Sequence, residues 1–248
     1  MTITYAILFL VLGLLLGSFY GCMGYRIPNR ISLIKPGSRC DSCMKPLKWY
    51  MNIPVISYLC QKGRCAYCGK PIDISNLMVE VFTGITFMCS YLYFGLSKEL
   101  IIVLVLISAC SVTAVSDFKY YYVSDRVIFG SSLIMLATFI YFDTFSVYKT
   151  NLIGMVSLFV MMLLVKIIGD KVFKRESLGG GDVKLMIPIG LALGTFNGLL
   201  SLFIASVLAL IAYLLLNEKY NENLVPFGPF LLLATIIVYI IASAGLAF

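Results

Sequence analysis

The sequence contains no histidine in 248 residues, and charged residues make up only 12% of it. The missing imidazole excludes a Ser-His-Asp or Cys-His arrangement, an H-E-x-x-H zinc hydrolase and a histidine proton shuttle. Acid–base chemistry must therefore fall to carboxylates, lysine, tyrosine or cysteine. An ordinary soluble domain is roughly 25% charged. With charge this scarce and an apolar share of 60%, the chain is not a water-soluble fold. No Lys or Arg precedes the first apolar run, which continues without charge to Arg26, so a signal peptide is not expected there. For the same reason Phe19-Tyr20-Gly21-Cys22 is not taken as a lipoprotein cleavage site.

What is present is a series of charge-free stretches: 1–25, 81–97, 100–116, 127–142, 150–165, 185–217 and 223–248. A helix needs about 20 residues, and roughly 17 at least, to cross a hydrocarbon core. The stretch 185–217 is too long for one crossing, and Gly194-Thr195-Phe196-Asn197-Gly198 reads as a turn between two. The expectation is an all-α, polytopic transmembrane helical bundle of about eight spans, with seven as the competing count. Three segments follow: a first span at 1–25, a loop domain at 26–77, and a membrane bundle at 78–248. No internal repeat or low-complexity segment is apparent, and no inverted repeat of the transporter kind.

Orientation follows from the basic residues. The loop 26–77 holds nine Lys or Arg against Asp41 and Asp73, a net +7, which places it in the cytoplasm. The segments 117–126, 166–184 and 217–222 then fall on the same side, with both termini outside. Juxtamembrane basic residues serve insertion and anionic lipid, so the net charge does not imply nucleic acid.

The loop is rich in turn formers and too small for a large core, so it needs a staple. Cys40 and Cys43, then Cys65 and Cys68, form two C-x-x-C pairs separated by the 21 residues 44–64. Each such turn presents two sulfurs to one side, and four thiolates satisfy a tetrahedral zinc ion fully. Such a closed site is structural, and on the reducing cytoplasmic side metal is favoured over disulfides; a redox pair is the alternative. Cys22, Cys60, Cys89 and Cys110 read as small buried hydrophobes.

Among the carboxylates near spans, Asp143, Asp170, Glu99 and Glu176 read as solvated. Asp117 closes a charge-free run, and Asp182 follows Gly179-Gly180-Gly181. An ionisable residue at a span is a functional candidate by default, with a snorkelling helix-end charge as its bland counterpart. Three consecutive glycines allow close backbone approach and start a simple helix poorly. Two aspartates sharing one proton can act as base on water and acid on a carbonyl, which is aspartic proteolysis without histidine or metal. Asp125 has two readings, a residue that helps fix the Asp117 loop and, in preference, the N-cap of the next span.

Taken in order, several motifs resemble the type IV prepilin peptidase family of membrane aspartic proteases of the G-x-G-D type. They are Gly17-Ser18-Phe19, Tyr25-Arg26-Ile27-Pro28, the two cysteine pairs, Trp49-Tyr50-Met51-Asn52-Ile53-Pro54, Ser57-Tyr58-Leu59, Val79-Glu80, Thr83-Gly84, Gly179 to Asp182, and Pro226-Phe227-Gly228-Pro229. The resemblance implies Asp117 and Asp182 as the catalytic pair, and removal of a basic leader from prepilins or pseudopilins at the cytoplasmic face of the bacterial inner membrane. It also implies N-methylation of the new N-terminus with S-adenosylmethionine as donor. Gly21 stands where the family commonly has Asn, Met51 where Asp is usual, Ser75-Asn76-Leu77 in place of Arg-Tyr-Pro, and Ser124 in place of Pro. The first three lie in the half associated with methyl transfer. No residue is assigned to the methyl donor beyond a guess at Glu80. The rival reading is a transporter or channel with a zinc-stabilised loop, in which Asp117 and Asp182 bind ions.

Overall fold

The structure, a computed structural model, describes residues 2–40, 42–174, 176, 178–216 and 226–245, with 146 and 147 described by backbone alone. The expected polar connection at 217–222, the two chain ends and Asp41 lie outside the described residues. The described residues form α1 (Thr2–Arg26), a 3-10 turn (Trp49–Asn52), α2 (Ile56–Cys60), α3 (Ile74–Phe94), α4 (Lys98–Tyr120), α5 (Asp125–Phe142), α6 (Phe145–Phe173), α7 (Gly180–Leu216) and α8 (Phe227–Ser243). An all-helical fold meets the requirement of a bilayer, because a helix satisfies its own backbone N–H and C=O groups where no water can. Among the described residues α1, α3, α4, α5, α6 and α7 are long and apolar enough to cross a membrane, and α8 is a shorter apolar helix.

The chain divides into two compact units, Met1–Leu96 and Ser97–Phe248. In the first, α1 packs on α3, the helix that a division at residue 78 would cut. Small residues bring the two backbones together. A methyl on Gly13 would lie 2.7 Å from the Thr83 carbonyl oxygen, and one on Gly17 2.8 Å from the Glu80 Cα. The early Gly17-Ser18-Phe19 motif and the later Val79-Glu80 and Thr83-Gly84 motifs are thus two sides of one helix contact.

The loop of this unit contains the internal repeat that was not expected. Ser38–Leu47 and Gly63–Ile72 share the pattern R-C-x-x-C-x-K-P at an offset of 25 residues, and their described residues fold alike. The Cys40 N–H donates to the Lys45 carbonyl as that of Cys65 does to Lys70, and an Arg–Pro bridge closes each turn, Arg39 with Pro46 and Arg64 with Pro71. The equivalent sixth position of the pattern takes a positive φ in both, Met44 at 58° and Gly69 at 70°. Ten residues recurring once are too short for a periodicity to stand out in the sequence.

In the second unit α4 is the most enclosed helix, burying Val103, Leu106, Ile107, Val112 and Val115. The turn expected near 194–198 sits at Gly194, with φ 71° and ψ −171°, a region essentially restricted to glycine. Its neighbours on α6 show that the chain reverses there. Leu178 meets Lys166 and Gly190 meets Gly154, but after the turn Thr195 meets Ser157 and Gly198 meets Leu158. The 37-residue α7 is therefore a hairpin of two arms, which with the other apolar helices accounts for the eight expected segments.

Candidate active site

Asp117 lies one turn before the end of α4 and is only 5% exposed. Asp182 lies in the first turn of α7, where its N–H donates to the Gly179 carbonyl. A third helix completes the group. α8 begins at Phe227, and the N–H of Gly228 donates to Asp117 Oδ2 at 3.0 Å. The first N–H groups of a helix have no partner within it, so the α4 carboxylate caps α8 from outside.

Pro226-Phe227-Gly228-Pro229 thereby acquires a physical role. A methyl on Gly228 would sit 3.0 Å from Asp117 Oδ2, 3.1 Å from Thr113 Cγ2 and 3.4 Å from Leu185 Cδ1. Pro229 carries no N–H that would be left orphaned one position later. Leu185 is one turn beyond Asp182 on α7, so Gly228 is the point at which α4, α7 and α8 meet. Gly181 serves the same end: a methyl there would be 2.7 Å from Val123 Cβ, in the connection between α4 and α5. The Thr113 hydroxyl, one turn before Asp117, is buried and has no hydrogen-bond partner.

Two lysines pin the glycine turn. Lys184 Nζ lies 2.7 Å from Asp125 Oδ1, which ties α7 to the start of α5. This corrects the reading of Asp125 as an N-cap: Ser124 holds the cap position without a side-chain cap bond, and Asp125 turns to the lysine. On the other side Lys166 Nζ donates to the Leu178 carbonyl at 2.6 Å and reaches Glu176 at 3.2 Å and Asp170 at 3.4 Å. Asp170 and Glu176 are thus ion-paired rather than merely solvated. Asp143 also departs from expectation, being buried and paired with Lys98. Lysine–carboxylate pairs between residues 59 and 45 positions apart have no sequence signature.

In the first unit the sulfurs of Cys40, Cys43, Cys65 and Cys68 all lie within 4.8 Å of one another, and Cys40 and Cys68 are 3.9 Å apart. A tetrahedral ion with Zn–S near 2.3 Å spaces its sulfurs about 3.8 Å apart, so the cluster is of the right size for one such ion. The Cys65 thiol is drawn down to about 6, first by the Tyr67 N–H and then by that of Cys68. Against the lowering by the Lys70 N–H, desolvation and the neighbouring sulfurs push Cys68 up to about 11. Crowded thiols hold protons that a cation displaces on binding. Of the other cysteines Cys110 is buried, whereas Cys60 and Cys89 are exposed, which corrects the reading of all four as buried.

Residues 11–94 match the Bacterial Peptidase A24 N-terminal domain, and residues 104–214 match the Type IV leader peptidase family. The prepilin leader peptidase/N-methyltransferase of Bacillus subtilis is 31% identical, over 96% of this chain and 95% of its own length. The chain belongs to the type IV leader peptidase family. The protein of the same name from Myxococcus xanthus is 35% identical over 81% of this chain, which spans 59% of that relative's length. That from Vibrio cholerae is 28% identical over 96% of this chain and 98% of its own. No solved structure matches.

Two departures from the family's usual pattern prove to be neighbours. A methyl on Gly21 of α1 would lie 3.1 Å from Asn76 Oδ1 of α3, so an amide missing from one helix is present on the other. Glu80 is buried and accepts the Val55 N–H at 2.7 Å, holding the loop rather than facing an open site. A cavity of about 290 Å³ at the end of α1 is lined by Ser18, Cys22, Arg26, Ser38, Asn52 and Pro54 among others. Its one charged side chain, Arg26, is spent on the carbonyls of Ser32, Pro36 and Gly37. Among the described residues that line it there is no carboxylate, and none of them is assigned to S-adenosylmethionine.

Proposed function

We propose that this protein is an aspartic endopeptidase of the bacterial cytoplasmic membrane that removes the leader from type IV prepilins or pseudopilins, with Asp117 and Asp182 as the catalytic pair. What supports this reading is a buried carboxyl, Asp117, bonded to the N-terminus of α8 where α7, the helix that bears Asp182 in its first turn, packs against it, in a chain without histidine. Substrate binds with its scissile carbonyl between them. The ionised carboxylate takes a proton from water as the oxygen attacks, and the protonated one donates to the carbonyl oxygen; the proton then passes to the leaving amine. The Gly228 N–H fixes the orientation of Asp117 throughout, so no reorganisation is needed at the moment of reaction. The pair and the basic loop lie on the cytoplasmic side and both termini outside, in keeping with the distribution of Lys and Arg.

The second activity, carried by the relatives' name, is N-methylation of the exposed N-terminus, with S-adenosylmethionine as methyl donor. No residue is given a role in that transfer. Zinc on Cys40, Cys43, Cys65 and Cys68 is structural, because four thiolates leave no open position for substrate.

The test is cleavage of a prepilin in membranes by wild type, Asp117→Asn and Asp182→Asn at matched protein levels, with the product N-terminus read by mass spectrometry. Both variants should lose cleavage, and the wild-type product should carry a methyl group. Retained cleavage in either variant would overturn the aspartic pair.

A further inference from the structure

The first unit exposes an apolar and basic surface that neither the carboxylate pair nor the cysteine cluster uses. Trp49 is 79% and Ile34 83% exposed in the folded chain, and Tyr50, Ile56 and Leu59 are exposed as well. Ile56 and Leu59 share one face of α2, which packs on the 3-10 turn that carries Trp49 and Tyr50. Arg30, Lys35, Arg39, Lys45, Lys48, Lys62, Arg64 and Lys70 are all exposed as well. Trp49 packs edge-on against Tyr50, and Lys48 lies over the Tyr50 ring.

Two buried charges hold these residues down against the spans. Arg26, the last residue of α1, donates to the carbonyls of Ser32 at 2.9 Å, Pro36 at 2.8 Å and Gly37 at 3.1 Å, which folds the turn bearing Ile34 and Lys35 back onto the helix end. Glu80 sits six residues, about 9 Å of helix, beyond the start of α3. By accepting the Val55 N–H it draws the stretch from Trp49 to Ile56 toward that helix. Val55 takes φ 61° to make this contact, a costly conformation for a β-branched residue. Tryptophan and tyrosine favour the headgroup level of a bilayer, and cations beside them favour anionic lipid.

The geometry points to this loop as a membrane-docking surface that lies on the anionic headgroups of the bilayer its own helices cross, with Trp49, Ile34 and Ile56 inserted and the eight exposed cations around them. The charge argues for lipid over the proposed substrate, since a basic leader would be repelled by a surface of the same sign. The proposal goes beyond the peptidase reading and does not depend on it.

Trp49 is the only tryptophan in the chain, so fluorescence of the intact protein, excited at the red edge where tyrosine does not absorb, reports on this surface alone. The full chain is placed in nanodiscs of phosphatidylcholine, or of phosphatidylcholine with phosphatidylglycerol, each with and without brominated acyl chains. Blue-shifted emission and bromine quenching are expected in the anionic discs, with reversal in high salt. Lys45→Gln/Lys48→Gln, which keeps the reporter, should lower the docked-to-free ratio by roughly thirtyfold, as two cations at about 1 kcal/mol each imply. Emission that is solvent-like in both lipids, or equally quenched in both, would overturn the proposal. So would emission that responds only to protein density in the bilayer, which would mark a contact between copies, or only to an added leader peptide.

Discussion

Replacing Gly228 by alanine should separate catalysis from stability. The residue sits in the first turn of α8 with ordinary helical backbone, so alanine is conformationally acceptable there and gains up to about 1 kcal/mol of helix propensity. Its methyl, however, arrives 3.0 Å from Asp117 Oδ2 and 3.1 Å from Thr113 Cγ2, too close for an unmoved carboxyl. The side chain able to yield is that of Asp117, and when it rotates it gives up the Gly228 N–H. A hydrogen bond to a charged group contributes about 1.5–3 kcal/mol, and each 1.4 kcal/mol is tenfold in rate. Gly228→Ala should therefore cleave prepilin roughly ten- to a hundredfold more slowly, mainly in kcat, while accumulating in membranes and melting as wild type does. Single-turnover cleavage in detergent, alongside a thermal melt of the same preparation, measures both. Wild-type cleavage by this variant, or a loss of rate matched by a loss of folded protein, would refute the reasoning.

Lys166→Met keeps the apolar stem and removes the ammonium that holds the Leu178 carbonyl at 2.6 Å, leaving the turn before Asp182 unpinned. Cleavage should fall by about tenfold with protein level maintained, and Lys166→Arg should recover part of it; an unchanged rate would show that the glycine turn holds itself. Wild-type protein purified without chelator should carry one zinc per chain, and Cys43→Ser/Cys68→Ser none, by elemental analysis. Structural zinc is worth about 10–16 kcal/mol in small zinc modules, so the metal-free loop should become sensitive to proteolysis before leader cleavage is lost. Normal folding with selectively abolished cleavage would give the metal a part in the chemistry instead.

The candidate site residues were legible because a bilayer makes them conspicuous. In a chain this apolar, an aspartate at the end of a charge-free run or after three glycines stands out, and four cysteines in two C-x-x-C pairs have few uses besides a metal. The turn at Gly194 was legible for a similar reason, since a span length is bounded and the 33 charge-free residues 185–217 exceed it.

Contacts between residues far apart in the chain were not legible. Asp125 looked like a cap because local spacing offers that role, whereas its partner Lys184 lies 59 residues on. Asp143, Asp170 and Glu176 looked solvated because polar connections usually are, yet Lys98 and Lys166 claim them. Glu80 was a guess for a cofactor contact and is a tether for the loop.

By itself, then, the sequence determined that the chain is a helical membrane protein without imidazole chemistry, and which carboxyls and thiols were candidates. Composition and spacing are one-dimensional properties, and a bilayer or a metal ion reads them almost directly. Only the tertiary structure decided that the Asp117 carboxyl accepts the Gly228 N–H where α4, α7 and α8 meet, and that two lysines pin the turn before Asp182. Such meetings depend on how helices cross, and crossings are set by close packing of residues more than 100 positions apart in the chain.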